Sequence, residues 1–176
     1  MSQIAKTNQD LARAQFKEDY QKILEQNLPS MYDWILIPDF DNLLLYIDLW
    51  STDENSVKLD DYHLKLDMSY YRTHPPGVTY INPVTKIFDA TKDLRWLPVK
   101  GQAPPGMDIG YHQTYSLSDG TQRQMVCNSM ILEYYLSNHN PTPEQIWDPT
   151  KHTFAATLTV LQIMLRKPYY GGRSAP

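Results

Sequence analysis

One sulfur dominates the chemistry open to this chain: Cys127 is its only cysteine, set in Gln124-Met125-Val126-Cys127-Asn128-Ser129. A lone thiol forms neither an internal disulfide nor a four-cysteine zinc site, so it is either inert packing or the one soft nucleophile available. Its neighbours Met125, Val126, Met130 and Ile131 are apolar, as those of a small buried hydrophobe would be. Arg123, four residues upstream, would lower the thiol pKa if the backbone brought it close. Five histidines, His63, His74, His112, His139 and His152, complete the reactive inventory. They are scattered, with no HExxH or comparable ligand pair, so no metal or other cofactor is expected. Cys127 paired with His112, His139 or His152 would make a Cys-His hydrolase.

The elements that must position that sulfur are those of one domain, residues 1–176, long enough for a packed core and several long loops. Hydrophobic residues make up 41% of the chain, with four Trp, thirteen Tyr and four Phe, which argues for a globular fold. A formal charge of −4 supplies no broad basic field, so nucleic acid is not an expected partner. Met1 to Asp10 is polar, and no run of about 18 apolar residues occurs. A cytoplasmic protein without membrane contact is expected, in a reducing compartment that keeps Cys127 a thiol.

Periodicity divides the chain. Over Thr7 to Leu28, Phe16, Tyr20, Ile23, Leu24 and Leu28 fall near helical spacing, and Pro29 and Ser30 are expected to end that helix. Leu43, Leu45, Ile47 and Leu49 then alternate along Asp41 to Ser51, and Tyr62, Leu64, Leu66, Met68 and Tyr70 alternate along Asp60 to Tyr71. Val78 to Ile81 follows His74-Pro75-Pro76-Gly77 as a short strand, giving an antiparallel four-stranded meander after one helix. Regular pattern is lost from Thr85 to Gly120, and Met125 to Leu136 fits helix and strand equally. Asn138 to Pro143 reads as a turn cluster. Thr150 to Arg166 is helical, with Phe154, Leu158, Leu161 and Leu165 on one face, and the Gly-rich tail 169–176 is expected to be loose. The expected class is α+β.

Two segments carry a family resemblance. Tyr70-Tyr71-Arg72-Thr73-His74-Pro75-Pro76-Gly77-Val78-Thr79-Tyr80 is similar to the Tyr-Pro and Pro-Pro-x-Val-x-Phe run that leads into the fourth strand of ubiquitin-conjugating (E2) enzymes, and Trp147-Asp148-Pro149 resembles their Trp-x-Pro. Cys127 lies between these anchors in the expected order, and the likeness covers nearly the whole chain. Two departures stand against it. No His-Pro-Asn precedes the cysteine; the nearest upstream histidine, His112, is 15 residues away and followed by Gln113 and Thr114. The 20 residues from Cys127 to Trp147 imply an insertion around Asn138 to Pro143. Such divergence looks more like prokaryotic E2-like proteins that occur with ubiquitin-like, E1-like and protease genes in antiphage operons.

The resemblance implies a UBC-like fold of N-terminal helix, meander, active-site loop and C-terminal helix. It implies a transferase that accepts a ubiquitin-like protein from an E1-like activating enzyme as a thioester on Cys127 and passes it to an amine of an acceptor protein. Thiol exchange needs no strong base, because a cysteine of ordinary pKa, about 8.5, already supplies a few per cent thiolate at neutral pH. Amine attack needs a prepared oxyanion donor, for which Asn128 or a nearby backbone amide comes first, then His112, then Asn138 and Asn140. Asp148 or Asp119 would orient the incoming lysine. The E1-facing surface is expected on the first helix at Arg13, Lys17 and Lys22, residues that otherwise read as a solvated helical face. The absent His-Pro-Asn leaves open a catalytically silent binding module of the same fold.

Overall fold

Branched aliphatic residues at every second position set the centre of the molecule. The computed structural model describes residues 4–103, 105–106, 110–117, 119–137, 139 and 141–175. Strand β2, Leu44–Thr52, buries Leu45, Ile47 and Leu49, while β3, Lys58–Asp67, buries Tyr62, Leu64 and Leu66. With β1, Ile35–Asp39, and β4, Gly77–Tyr80, they form an antiparallel sheet in the order β1-β2-β3-β4. The register sets Leu45 opposite Leu66, Ile47 opposite Leu64 and Leu66 opposite Val78, so one face is continuously apolar. The expected alternation breaks at its end: Met68 is buried, but Tyr71 rather than Tyr70 is the buried tyrosine. The strand stops at Asp67, and period two no longer holds beyond it.

Helix α1, Gln9–Glu25, starts where the Asn8 side chain accepts from the amides of Asp10 (3.0 Å) and Leu11 (3.2 Å). It buries Ala12, Phe16, Asp19 and Ile23. Pro29 does not end it. Instead Pro29 lies in the first turn of a separate short helix α2, Leu28–Tyr32, a position where its missing N–H costs nothing. The last helix, Phe154–Met164, is capped by the Thr153 hydroxyl and drives Phe154, Leu158, Leu161 and Met164 into the same apolar cluster as α1 and the sheet. The Phe16 and Phe154 rings meet edge to face, 5.8 Å between centroids.

The stretch from Thr85 to Gly120, expected to be irregular, carries two strands. Pro98–Lys100 (β5) is one; Tyr111–Ser116 (β6) is the other, and it pairs antiparallel with Gln122–Val126 (β7) around a turn at Asp119 and Gly120. Met125 to Leu136, where helix and strand were both open, contains the end of β7 and a one-turn helix α3, Leu132–Leu136. In chain order the final helix is therefore α4.

The tail is not loose. Tyr170–Arg173 forms β8 and pairs with β5. Arg173 donates from Nε to Asp60 Oδ1 (2.9 Å) and from Nη2 to Asp61 Oδ1 (2.6 Å), with its guanidinium over the Tyr62 and Trp96 rings. Buried Tyr170 shares a hydroxyl contact of 2.8 Å with Tyr62. Partners more than 100 positions away fix a segment whose own composition favours freedom.

Candidate active site

Cys127 sits one residue past the end of β7, and its amide donates to the Gly110 carbonyl at 2.7 Å. That bond continues the hairpin ladder by one step and aims the side chain at α3 and the residues after it. A Cβ on Gly110 would lie 3.1 Å from both the Cys127 Cβ and His112 Nε2, so only glycine fits comfortably between them. Cys127 is 5% exposed and packs in a small cluster with Met125 and Tyr134, flanked by Tyr115 and Tyr135. It is buried, in a cluster separate from the main core that holds Trp147. Trp147 is tied elsewhere, its Nε1 donating to the Arg72 carbonyl and its amide to the Tyr135 hydroxyl.

The decisive contact is with His139. Its Nε2 lies 3.3 Å from Cys127 Sγ, and its Nδ1 lies 2.6 Å from Ser137 Oγ. A serine hydroxyl has one proton to give, and that of Ser137 goes to the Tyr134 carbonyl at 2.8 Å. Ser137 must then accept from His139 Nδ1–H, which leaves the Nε2 lone pair facing the thiol. The imidazole is held in place by the Tyr134 ring, 4.6 Å between centroids, and by Tyr115 at 6.0 Å. Cys127, His139 and Ser137 thus form a three-member chain in which an imidazole lone pair is placed to receive a thiol proton.

Asn128 is 7% exposed, and its Oδ1 accepts from the Met130 amide at 2.9 Å. That turn leaves Nδ2 free of any hydrogen bond to the described residues, beside a cavity of about 220 Å³ shared with Ser129 and Tyr134. Asn128 follows Cys127 in the chain, and Cys127 itself does not line that cavity. His112 lies close by, its Nε2 and the Cys127 Cβ each 3.1 Å from where a Cβ on Gly110 would stand, and its ring leans on Tyr115, 5.2 Å between centroids. Asn138 and Asn140 lie outside the described residues.

The remaining candidates make contacts of their own within the fold. Asp148 binds the Thr150 amide and hydroxyl and pairs with Lys151 at 3.0 Å, contacts that hold its carboxyl far below the usual range. His152 accepts from the Asp148 amide at 2.9 Å, and both lie in the turn before α4. Asp119 binds Thr121 at the hairpin tip, and Arg123 acts electrostatically on Asp119 and Glu133. On α1, Arg13 donates to the Phe40 carbonyl (3.1 Å) and Asp10 (2.8 Å), Lys17 lies over the Phe40 ring, and Lys22 pairs with Glu18. Among the described residues no group of three His, Cys, Asp or Glu side chains is arranged to hold a metal ion, and no helix is long and apolar enough to cross a membrane.

Sequence reasoning named His139 only as one of three possible partners and missed Ser137 altogether. The sole signal was the Ser137-x-His139 spacing 12 residues after the cysteine, too common to stand out. Searches of family models, curated proteins and solved structures gave no match to this chain.

Proposed function

We propose that Cys127 carries an acyl group as a thioester, in the manner of an E2-type conjugating enzyme that receives a ubiquitin-like protein from an E1-like enzyme and hands it to an acceptor amine. The observation that carries this reading is the Cys127–His139 contact of 3.3 Å with Ser137 behind it. Helix α1, the four-stranded meander, a cysteine beyond it and α4 follow one another in the order the family resemblance requires. In the loading step His139 Nε2 takes the thiol proton. The thiolate attacks the incoming thioester carbonyl and the E1-type thiolate departs, to be reprotonated. In the transfer step an amine attacks the Cys127 thioester, Asn128 Nδ2 donates to the oxyanion, His139 receives the amine proton and Cys127 leaves as thiolate. The setting that goes with this reading is a bacterial antiphage conjugation system.

Incubation with an E1-like enzyme, ATP and a ubiquitin-like protein will leave a thiol-labile adduct on Cys127, detected by intact-mass spectrometry and absent from Cys127→Ala. No adduct at high protein concentration would overturn conjugation in favour of a silent binding module or a hydrolase. The same Cys-His-Ser chain also suits a hydrolase. Release of a modifier from a lysine-linked substrate without E1 and ATP would select that second reading.

A further inference from the structure

Lys65, Asp67 and Thr79 alternate with buried Leu64, Leu66, Val78 and Tyr80, so they project from the sheet face turned away from the helices. That face is not flat. The β6–β7 hairpin is docked beside β4 through Gln124, whose side-chain amide accepts from the Tyr80 amide (2.6 Å) and donates to the Tyr80 carbonyl (3.2 Å). Hairpin, sheet, α3 and the segment around Ile87 then enclose a cleft of about 630 Å³.

Its charges are unevenly satisfied. Asp67 Oδ1 accepts from the Ser69 amide (2.8 Å) and hydroxyl (2.5 Å). Glu133, on α3 at the floor, is 3% exposed and accepts from the Val78 amide at 3.1 Å. Burial pushes its carboxyl up to about 7; Asp67 pushes the same way and Arg123 opposes. The cleft's two cations, Lys65 and Arg123, form no salt bridge with any described residue. Below pH 7, where Glu133 keeps its proton, these two cations face one carboxylate, Asp67, whose Oδ1 is already engaged by Ser69, and the excess positive charge favours a negatively charged occupant. Exposed Gln113 adds an amide donor and acceptor, exposed Gln122, whose amide also donates to the Ser116 hydroxyl, adds another, and Ile87, 58% exposed, offers an apolar rim.

We propose that this cleft binds an acidic peptide segment, its carboxylates met by Lys65 and Arg123 and its backbone by the side-chain amides of β6 and β7. The site is separate from Cys127, so its failure would leave the acyl-transfer reading standing, and the reverse. Glu133 makes binding proton-linked: ionised, it adds a like charge beneath the peptide. Affinity will therefore fall as pH rises from 6 to 8.

The test is a ¹H–¹⁵N chemical-shift titration of the full chain with acetyl-Glu-Glu-Leu-Glu-amide, its all-glutamine analogue and inorganic phosphate. The acidic peptide will shift cleft amides saturably and the glutamine analogue will not. Arg123→Gln and Lys65→Gln will each weaken binding roughly threefold to tenfold. Between pH 6 and 8 the wild-type affinity will drop by a similar factor, about threefold to tenfold, and Glu133→Gln will flatten that dependence. Equal binding of the glutamine analogue, unchanged affinity in the Arg123→Gln, Lys65→Gln double variant, or absence of binding overturns the proposal. So does phosphate binding as tightly as the peptide, which would reveal a simple anion site.

Discussion

The sheet-and-helix half of the molecule and the half around Cys127 are held by different forces. Against α1 and α4, residues such as Leu45, Ile47, Leu64, Phe16 and Phe154 meet through non-directional apolar contact, all essentially without exposure. Around the sulfur the contacts are directional: Cys127 amide to Gly110 carbonyl, Ser137 to Tyr134 carbonyl, His139 between Ser137 and Cys127, with tyrosine rings as walls. Area burial supplies stability in proportion to surface removed from water, whereas a reactive thiol needs a partner within a few tenths of an ångström. The comparison teaches that stability and reactivity are separable in this chain, and substitutions can be chosen to move one without the other.

The strongest blow to the apolar half is Leu64→Ala, which removes a fully buried side chain from the middle of β3. It will cost about 2–5 kcal/mol by urea denaturation while leaving Cys127 alkylation unchanged wherever the fold persists. A loss below ~1 kcal/mol would break the division, because that centre would then not be the source of stability.

Glu133 joins the two halves, since α3 is anchored to β4 through the Leu132 amide on the Pro76 carbonyl (3.1 Å) and Glu133 on the Val78 amide. Its folded pKa of about 7 exceeds the ordinary 4.5, so the folded state holds a proton that the unfolded chain releases. Stability is then fully present below pH 4.5 and falls as pH rises towards 7, by about 3 kcal/mol at ~1.4 kcal/mol per pH unit. Thermal unfolding of Glu133→Gln will show this slope removed; an unchanged slope would show that another group sets it.

His139→Ala will lower the rate of thiol exchange at Cys127 about tenfold at neutral pH, where an ordinary cysteine keeps a few per cent thiolate, with folding stability changed by less than ~1 kcal/mol. Ser137→Ala will do the same more gently, about threefold, because it frees the imidazole to turn rather than deleting it. If Ser137→Ala costs as much stability as Leu64→Ala, the region around the sulfur is a second core and the contrast dissolves. The smallest expected effect is at the tail: Arg173→Ala removes two ion pairs at a side chain 18% exposed and will cost about 1 kcal/mol, seen as faster amide exchange in β8 with no change at Cys127.

What sequence could reveal follows the same divide. The alternation through Leu45, Ile47 and Leu49, and the Phe154, Leu158, Leu161 stripe, are written by burial and so leave a period in the chain. The β6–β7 hairpin left none, because Gln113, Thr114, Ser116 and Gln122 face solvent while Gln124, Met125 and Val126 are buried in succession, so neither strand alternates; its one legible mark was Asp119-Gly120 at the turn. The tail strand was illegible for another reason, its order being set by Asp60 and Asp61 far upstream. Cys127 stood out by being alone, yet its real partner required knowing that α3 turns Ser137 and His139 back over the sulfur.

Tyr134 and Tyr115 also help to cover Cys127, which is 5% exposed. That cover slows peroxide and disulfide reagents, so the resting protein will keep its thiol reduced through prolonged contact with air. Trimming Tyr134 would trade that shelf life for faster alkylation.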